Sequence, residues 1–220
     1  MPNPDDINNQ YEFWDRVAGE KTFTIPVDTD LLRRHLPADA RILDYGCGYG
    51  RVGAELARSG FTDIVGVDSA PAMIRRAKEA NPQITFEMLP PGGLQEPPAS
   101  FDAVLLVAVL TCIPESDAQH RLVKTLSDVL RPDGLLCVSD FILQDDERNR
   151  KRYARFADEF GTYGVFRLDE GAVVRHHDPD YLDELLRSFV TIERSFPEVI
   201  TMNGHRATSF HWVGRKRFEP

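Results

Sequence analysis

Cysteine is scarce. The 220 residues contain three, Cys47, Cys112 and Cys137, and no CxxC spacing. That excludes a disulfide framework and denies a zinc site its usual ligand pairs, so a metal-free protein of the cytoplasm with reduced, mostly buried thiols is expected. Long apolar runs are also missing: the longest uncharged one, Ala103 to Ile113, has 11 residues, against the roughly 20 that a membrane-spanning helix needs. The first ten residues are polar and include Asp5 and Asp6, so no secretion signal is expected. Positive charge is in deficit, with 26 Lys and Arg against 35 Asp and Glu and a net charge of -9. Such a balance argues against a surface built to neutralise nucleic-acid phosphates. Nucleic acid and membrane are therefore set aside as partners, leaving a small-molecule substrate and a monomer or homodimer. Repeats and low-complexity tracts are absent.

From residue 41 onward, short β-rich runs alternate with helical patterns, the pattern of an α/β fold with a parallel sheet. Strands are expected at Arg41–Tyr45, Asp63–Val67, Ile84–Met88, Phe101–Val109 and Leu135–Phe141, the last after an Arg131-Pro132-Asp133-Gly134 turn. The Phe101 run is apolar almost throughout, as a strand buried on both faces requires. Ser116-Asp117-Ala118-Gln119 has capping-box spacing, Ser69-Ala70-Pro71 puts a hydroxyl and a proline before a helix, and Asp178-Pro179 opens another. Val190–Phe196 and Thr208–Gly214 read as a final antiparallel pair. Two segments stand outside the alternation. Residues 1–40 are expected to form a helical lid, and residues 141–177 a substrate-covering excursion, since loops that long are commonly functional.

The chemistry concentrates in Asp44-Tyr45-Gly46-Cys47-Gly48-Tyr49-Gly50-Arg51. A hydrophobic strand enters a turn with glycine at alternate positions, which lets a ligand approach the backbone closely. A helix then begins, its first N–H groups facing the ligand. Eighteen residues past Gly50, a second strand ends at Asp68, where a carboxylate can accept hydrogen bonds from two ribose hydroxyls. Gly48 to Gly53 also satisfies GxGxxG, so a nicotinamide dinucleotide and an oxidoreductase form the alternative reading; that motif by itself is weak. Asp44 decides between them. A carboxylate at the mouth of the turn repels a pyrophosphate and suits a ligand carrying an ammonium and a sulfonium.

These residues, with Val65-Gly66-Val67-Asp68-Ser69, Phe101-Asp102-Ala103-Val104 and Leu130-Arg131-Pro132-Asp133-Gly134, resemble the class I S-adenosylmethionine-dependent methyltransferases, small bacterial enzymes of small-molecule type. The resemblance implies a Rossmann-like seven-stranded, mostly parallel sheet with helices on both faces and the last strand antiparallel. It also implies S-adenosyl-L-methionine as cofactor, with S-adenosyl-L-homocysteine as product. By the same resemblance, Gly46, Cys47 and Gly48, in the turn that continues through Gly50 and Arg51, face the methionine portion while Asp44 reaches its amino group. Asp68 holds the ribose and Ser69 and Met73 border the adenine. Leu89 stands where relatives place an acidic adenine contact, and Val107 and Ala108 lie under the sulfonium. Tyr11 and Trp14 are expected to close over the cofactor. A protein of the same fold that binds the cofactor without methylating is a further alternative.

Methyl transfer is an in-line displacement in which alignment matters most, with a base needed only for an acceptor whose proton has a high pKa. The region after the fourth strand, Leu110-Thr111-Cys112-Ile113-Pro114, lacks both the signature of nucleic-acid amino-methylating relatives and the carboxylates of metal-dependent ones. A metal-independent transfer to an oxygen or nitrogen of a small molecule is expected. Candidate bases are His176 and His177, because imidazole titrates near neutrality; Arg175, Tyr163, Phe166 and His205 are candidate acceptor contacts. The cation run Arg148, Arg150, Lys151, Arg152, Arg155 is expected to be a solvated helix face with i,i+4 pairs from Asp146 to Arg150 and from Glu147 to Lys151.

Overall fold

The computed structural model describes residues 7, 8 and 10–217; Asp5 and Asp6, on which the expectation about secretion rests, lie outside them. Helices α1 (Tyr11–Val17) and α2 (Thr29–His35) precede β1 (Arg41–Tyr45). Then come α3 (Arg51–Arg58), β2 (Asp63–Asp68), α4 (Pro71–Ala80), β3 (Thr85–Met88), β4 (Phe101–Val107), α5 (Ser116–Val129) and β5 (Leu130–Phe141). The excursion contains α6 (Glu147–Phe160) and the strands β6 (Val165–Arg167) and β7 (Val173–Arg175). The chain closes with α7 (Pro179–Leu185), β8 (Phe189–Ser195), β9 (Glu198–Ile200) and β10 (Arg206–Lys216).

The main sheet runs β3-β2-β1-β4-β5-β10-β8, with β9 paired to β10. The first five strands are parallel, and β10 is antiparallel to both β5 and β8. The expected mostly parallel sheet with an antiparallel end is therefore present. Alternation across the pleat divides the core in two. Leu43, Val104, Leu106, Leu136 and Val138 face α5 and α7, whereas Ile42, Ala103, Leu105, Leu135 and Cys137 face α2 and α3. Because helices cover both faces, β4 is apolar from Ala103 to Val107 rather than alternating.

Several local expectations need correction. β4 ends at Val107, and Ala108 adopts a left-handed φ of 57°. The Arg131–Gly134 turn is absorbed into β5 as an irregularity in its pairing with β4. Ser116 is not an N-cap: Glu115 holds that position, and the Ser116 hydroxyl accepts from Arg175 at 3.0 Å. Nor does Ser69 cap α4. Its first N–H groups go instead to Asp68, which accepts from Ala70 at 2.9 Å, and to the Asp15 carboxylate of α1. Asp178 does cap α7, and Pro179 opens it.

The excursion is locked to the sheet by buried polar groups. Asp140 accepts from the backbone N–H of Thr111 at 3.0 Å and of Phe141 at 2.8 Å. Thr111 Oγ1 donates to Arg175 O at 2.8 Å. His177, wholly buried, donates from Nδ1 to Phe141 O at 3.2 Å and presents Nε2 to the Gln119 amide at 2.9 Å. Burial first, then the nearby Arg175 charge, hold its pKa down to about 3. The ordinary, unfolded imidazole titrates near 6.5, so the unfolded chain gains a proton that the fold refuses as pH drops from 6.5 towards 3. Stability is lost over that window. His177→Gln is expected to be the less stable protein at neutral pH. The gap from wild type should narrow on acidification by up to about 1.4 kcal/mol per pH unit, as read from melting curves between neutral pH and about pH 4.5. A gap independent of pH would refute the assignment.

Candidate functional site

The glycine turn follows from the strand that feeds it. Gly46 and Cys47 both donate to Val67 O, at 2.8 and 3.0 Å, which folds the turn back across β2. Gly46 and Gly48 have φ of 71° and 53°, where a side chain is strained. A Cβ on Gly46 would meet Val109 at 2.6 Å, and one on Gly48 would meet Phe23 at the same distance. Asp68 completes the fixture, one oxygen accepting from Gly48 N at 2.9 Å and the other from Ala70 N. Ser69 N–H adds a third backbone bond, and the carboxylate retains capacity to accept from a ligand hydroxyl.

Asp44 is 1% exposed, and its Oδ2 is buried with no hydrogen-bond partner. Burial raises its pKa to about 7, opposed by the charge of Arg51 and a hydrogen bond from Gly53 N–H, and assisted by Asp68. Arg51 does not neutralise it directly. That guanidinium bonds Glu55 at 2.8 Å and Ile25 O at 2.5 Å, making it a strut between α3 and the segment before α2. An orphaned carboxylate oxygen beside an open glycine turn fits a ligand ammonium, so the donor set suits the aminoacyl end of S-adenosylmethionine.

Above this turn lies a cavity of about 1380 Å³, beyond the roughly 300–1,000 Å³ of a single small-molecule site. Most of the residues expected at the cofactor line it: Asp44, Gly46, Cys47 and Gly48 at the turn, Arg51 beside them, Asp68, Ser69, Met73 and Leu89 along one side, and Val107 and Ala108 beneath. Tyr11 and Trp14 reach it from α1. That helix packs Phe13 and Val17 against Ala172, and Trp14 meets Phe23 edge-on at 6.0 Å. Gly50 does not line the cavity. It caps α3 at a φ of 81°, where a Cβ would strike Phe86 at 2.7 Å, so it serves packing.

On the acceptor side the candidates separate. Phe166, His176 and His205 line the cavity; Tyr163, Arg175 and His177 do not. Tyr163 is 51% exposed and packs on the outer side of Tyr153. Arg175 is buried, donating to Pro114 O at 3.1 Å and to Ser116 Oγ, with its guanidinium 4.1 Å over the Tyr181 ring. His177 has both ring nitrogens engaged, as described above. The adjacent pair thus points two ways, as residues on a strand do, and only His176 meets the cavity.

His176 is 6% exposed and neutral, its pKa held well below the usual imidazole value by burial and the charge of Arg152. Its Nδ1 lies 2.6 Å from the Tyr153 hydroxyl. That oxygen accepts from Gln144 N–H at 3.2 Å and from the Arg152 guanidinium. With both lone pairs taken, Tyr153 must donate to Nδ1, and the imidazole proton sits on Nε2. His176 is therefore a hydrogen-bond donor in the resting state, not the base that its residue type suggests.

The cation run also needs correction. Glu147 pairs with Lys151 at 2.6 Å, but Asp146 caps α6 through Asn149 N at 3.1 Å instead of pairing with Arg150. Arg148, Arg150, Lys151 and Arg155 are exposed as expected, but Arg148 and Arg155, with the half-buried Arg152, also line the cavity. Their i, i+4, i+7 spacing was the available signal, since it places them on one side of a helix. Among the described residues, no group of three His, Cys, Asp or Glu side chains is placed to hold a metal ion, and no helix is long and apolar enough to cross a membrane.

Comparison with known proteins agrees with this geometry. Residues 42–134 match the family model described as a methyltransferase domain. Over 58% of its length the chain is 32% identical to a ubiquinone biosynthesis O-methyltransferase of Xylella fastidiosa, covering 53% of that protein. Over 74% of its length it is 27% identical to the 27-O-demethylrifamycin SV methyltransferase of Amycolatopsis mediterranei, covering 62% of it. The chain thus spans little more than half the length of these curated relatives. The crystal structure of an S-adenosylmethionine-dependent methyltransferase from Methanosarcina mazei superposes with a TM-score of 0.80 at 26% identity, covering 86% of this chain and 98% of that one. The orphaned Asp44 oxygen, the Asp68 carboxylate and these similarities converge: residues 42–134 form a methyltransferase domain, within a chain that shares the fold of an S-adenosylmethionine-dependent methyltransferase over 86% of its length.

Proposed function

We propose that the chain transfers a methyl group from S-adenosylmethionine to an oxygen or nitrogen of a small-molecule acceptor lodged under the excursion, without a metal. The observation that carries this reading is the Asp44 Oδ2 atom, buried without a partner at the turn where a cationic ligand would sit. The two curated relatives are named as O-methyltransferases or act at an oxygen position by name, which supports a hydroxyl acceptor first. When bound, the cofactor supplies an electrophilic methyl on a sulfonium. Everything else is the work of this chain. Asp44 holds an ammonium, Asp68 two hydroxyls, and the glycine turn admits both at close range. Tyr11 and Trp14 cover the opening. Alignment of this kind is worth about 7–11 kcal/mol in favourable cases. His176 Nε2–H donates to the acceptor and fixes the attacking atom's orientation.

Three outcomes are expected. First, calorimetric titration should show S-adenosylhomocysteine binding and NAD failing to compete. Asp68→Ala should weaken the thioether by roughly 100-fold, the loss of two hydrogen bonds to a charged group. Tight NAD binding with no response to the thioether would reverse the reading in favour of an oxidoreductase. Second, the Asp44 carboxyl titrates at about 7 in the free chain and must be ionised to hold an ammonium. Affinity should therefore weaken as pH falls below that value, by up to about tenfold per unit. Asp44→Asn should bind weakly at every pH yet melt no lower than wild type at pH 8 without ligand, because it removes a buried charge. A pH-independent wild-type affinity would rule this out. Third, His176→Phe should lower kcat by about 10²-fold, the usual loss of one aimed donor, with S-adenosylhomocysteine affinity unchanged. Wild-type kcat should show no limb near the ordinary imidazole pKa; such a limb would reinstate a histidine base.

A further inference from the structure

Against a net charge of -9, one wall of the cavity is cationic. Arg148, Arg152 and Arg155 of α6 line it together with Asn149. Among the described residues none of the three arginines forms an ion pair, although their neighbours do: Lys151 with Glu147 at 2.6 Å and Arg167 with Glu159 at 2.8 Å. On the adjoining rim, Glu170 is neutralised by Lys21 at 2.8 Å, and Asp169 adds a carboxylate. Arg152 stacks its guanidinium 3.7 Å over the Phe166 ring, and its Nε is buried without a hydrogen-bond partner. Asn149 is 1% exposed; its Nδ2 turns to the Asp146 carboxylate, leaving Oδ1 buried and likewise unpartnered.

A buried donor and a buried acceptor left unmade on one wall are costly unless something completes them. A planar guanidinium fork matches an oxyanion in shape as well as charge. We propose that this wall binds the acceptor through an oxyanion group, a carboxylate or a phosphate, while a neighbouring hydroxyl or amide N–H of the same molecule donates to Asn149 Oδ1. Identifying that molecule as the acceptor rests on the methyl-transfer reading above; the preference of the wall for acids does not. Arg152, clamped between Phe166 and the Tyr153 hydroxyl, is the fixed member. Arg148 and Arg155 supply more mobile charge at its sides.

The test uses the whole chain and ligand-observed NMR with matched fragments, titrated with and without S-adenosylhomocysteine. One arm holds hydroxylated aromatic carboxylates, a second aryl phosphate monoesters, and a third the primary amides of the first arm. Acids should bind about tenfold or more tightly than their amides, as a charge-assisted hydrogen bond requires. The Arg148→Gln/Arg155→Gln double variant, altered only at exposed positions, should cut that ratio to within about threefold while leaving S-adenosylhomocysteine affinity unchanged. The stronger of the two acid arms identifies the oxyanion. Acids that bind no better than amides, that do not bind at all, or whose advantage survives the double variant would overturn the proposal. Failure of S-adenosylhomocysteine to bind wild type would instead overturn the cofactor reading, and the acid-to-amide ratio measured without it would still decide the fate of the wall.

Discussion

A carboxylate held in the interior without a counter-ion is unfavourable, and the Asp44 side chain is in that position because of the parallel sheet. β1 and β2 run side by side in the register Asp44 to Gly66 and Tyr45 to Val67, so both strands end at one edge and bring Asp44 and Asp68 to a single turn. Gly66 leaves room on β2 for Phe86 and Cys47, since a Cβ there would meet the Phe86 ring at 2.6 Å. Asp68 then has two tasks. Its bonds to Gly48 and Ala70 set the course of the turn and the start of α4, and the residue also lines the cavity. Burial raises the pKa of both acids, and the cationic cofactor proposed above would relieve that cost.

The far side of the cavity shows the opposite economy of polar groups. Asp140, Gln119, Arg175 and His177 all carry chemistry-bearing side chains, and all are used to fasten the excursion to the sheet. Gln119 shares its two amide N–H groups among Leu110 O at 3.0 Å, Ile113 O at 2.7 Å and His177 Nε2 at 2.9 Å, and accepts from Tyr181 at 3.0 Å. Gln10 bridges Cys112 O and Val173 O from the amino-terminal side. Each satisfied group stiffens the cap, and each is withdrawn from catalysis. The arginines of α6, by contrast, have few protein partners and face the open volume. The cavity is consequently acidic at the glycine turn and basic at the cap. Both the proposed cationic cofactor and the proposed acidic acceptor draw on that polarity.

The order of strands, the glycine turn, the acid that ends the second strand and the antiparallel finish could be read in the chain because each has a local cause. Period-two apolarity marks a strand, positive-φ glycines mark a turn, and a carboxylate at a strand end marks an edge. The capping errors at Ser69 and Ser116 have a different origin. In both places a carboxylate or guanidinium distant in sequence took over the group that the local pattern assigned: Asp15 at α4 and Arg175 at Ser116.

The same division holds for the site. By itself the sequence determined the Rossmann-like sheet, the turn and the residues at its mouth, because strand, glycines and acid lie within a few dozen consecutive residues and constrain one another through the backbone. Only the tertiary structure decided which of His176 and His177 meets the cavity, that Arg175 is a buried tie, and that three of the α6 arginines border the cavity. Those outcomes depend on how the excursion docks across β5 and β10. Docking is set by long-range hydrogen bonds and aromatic packing, about which residue spacing along the chain carries no information.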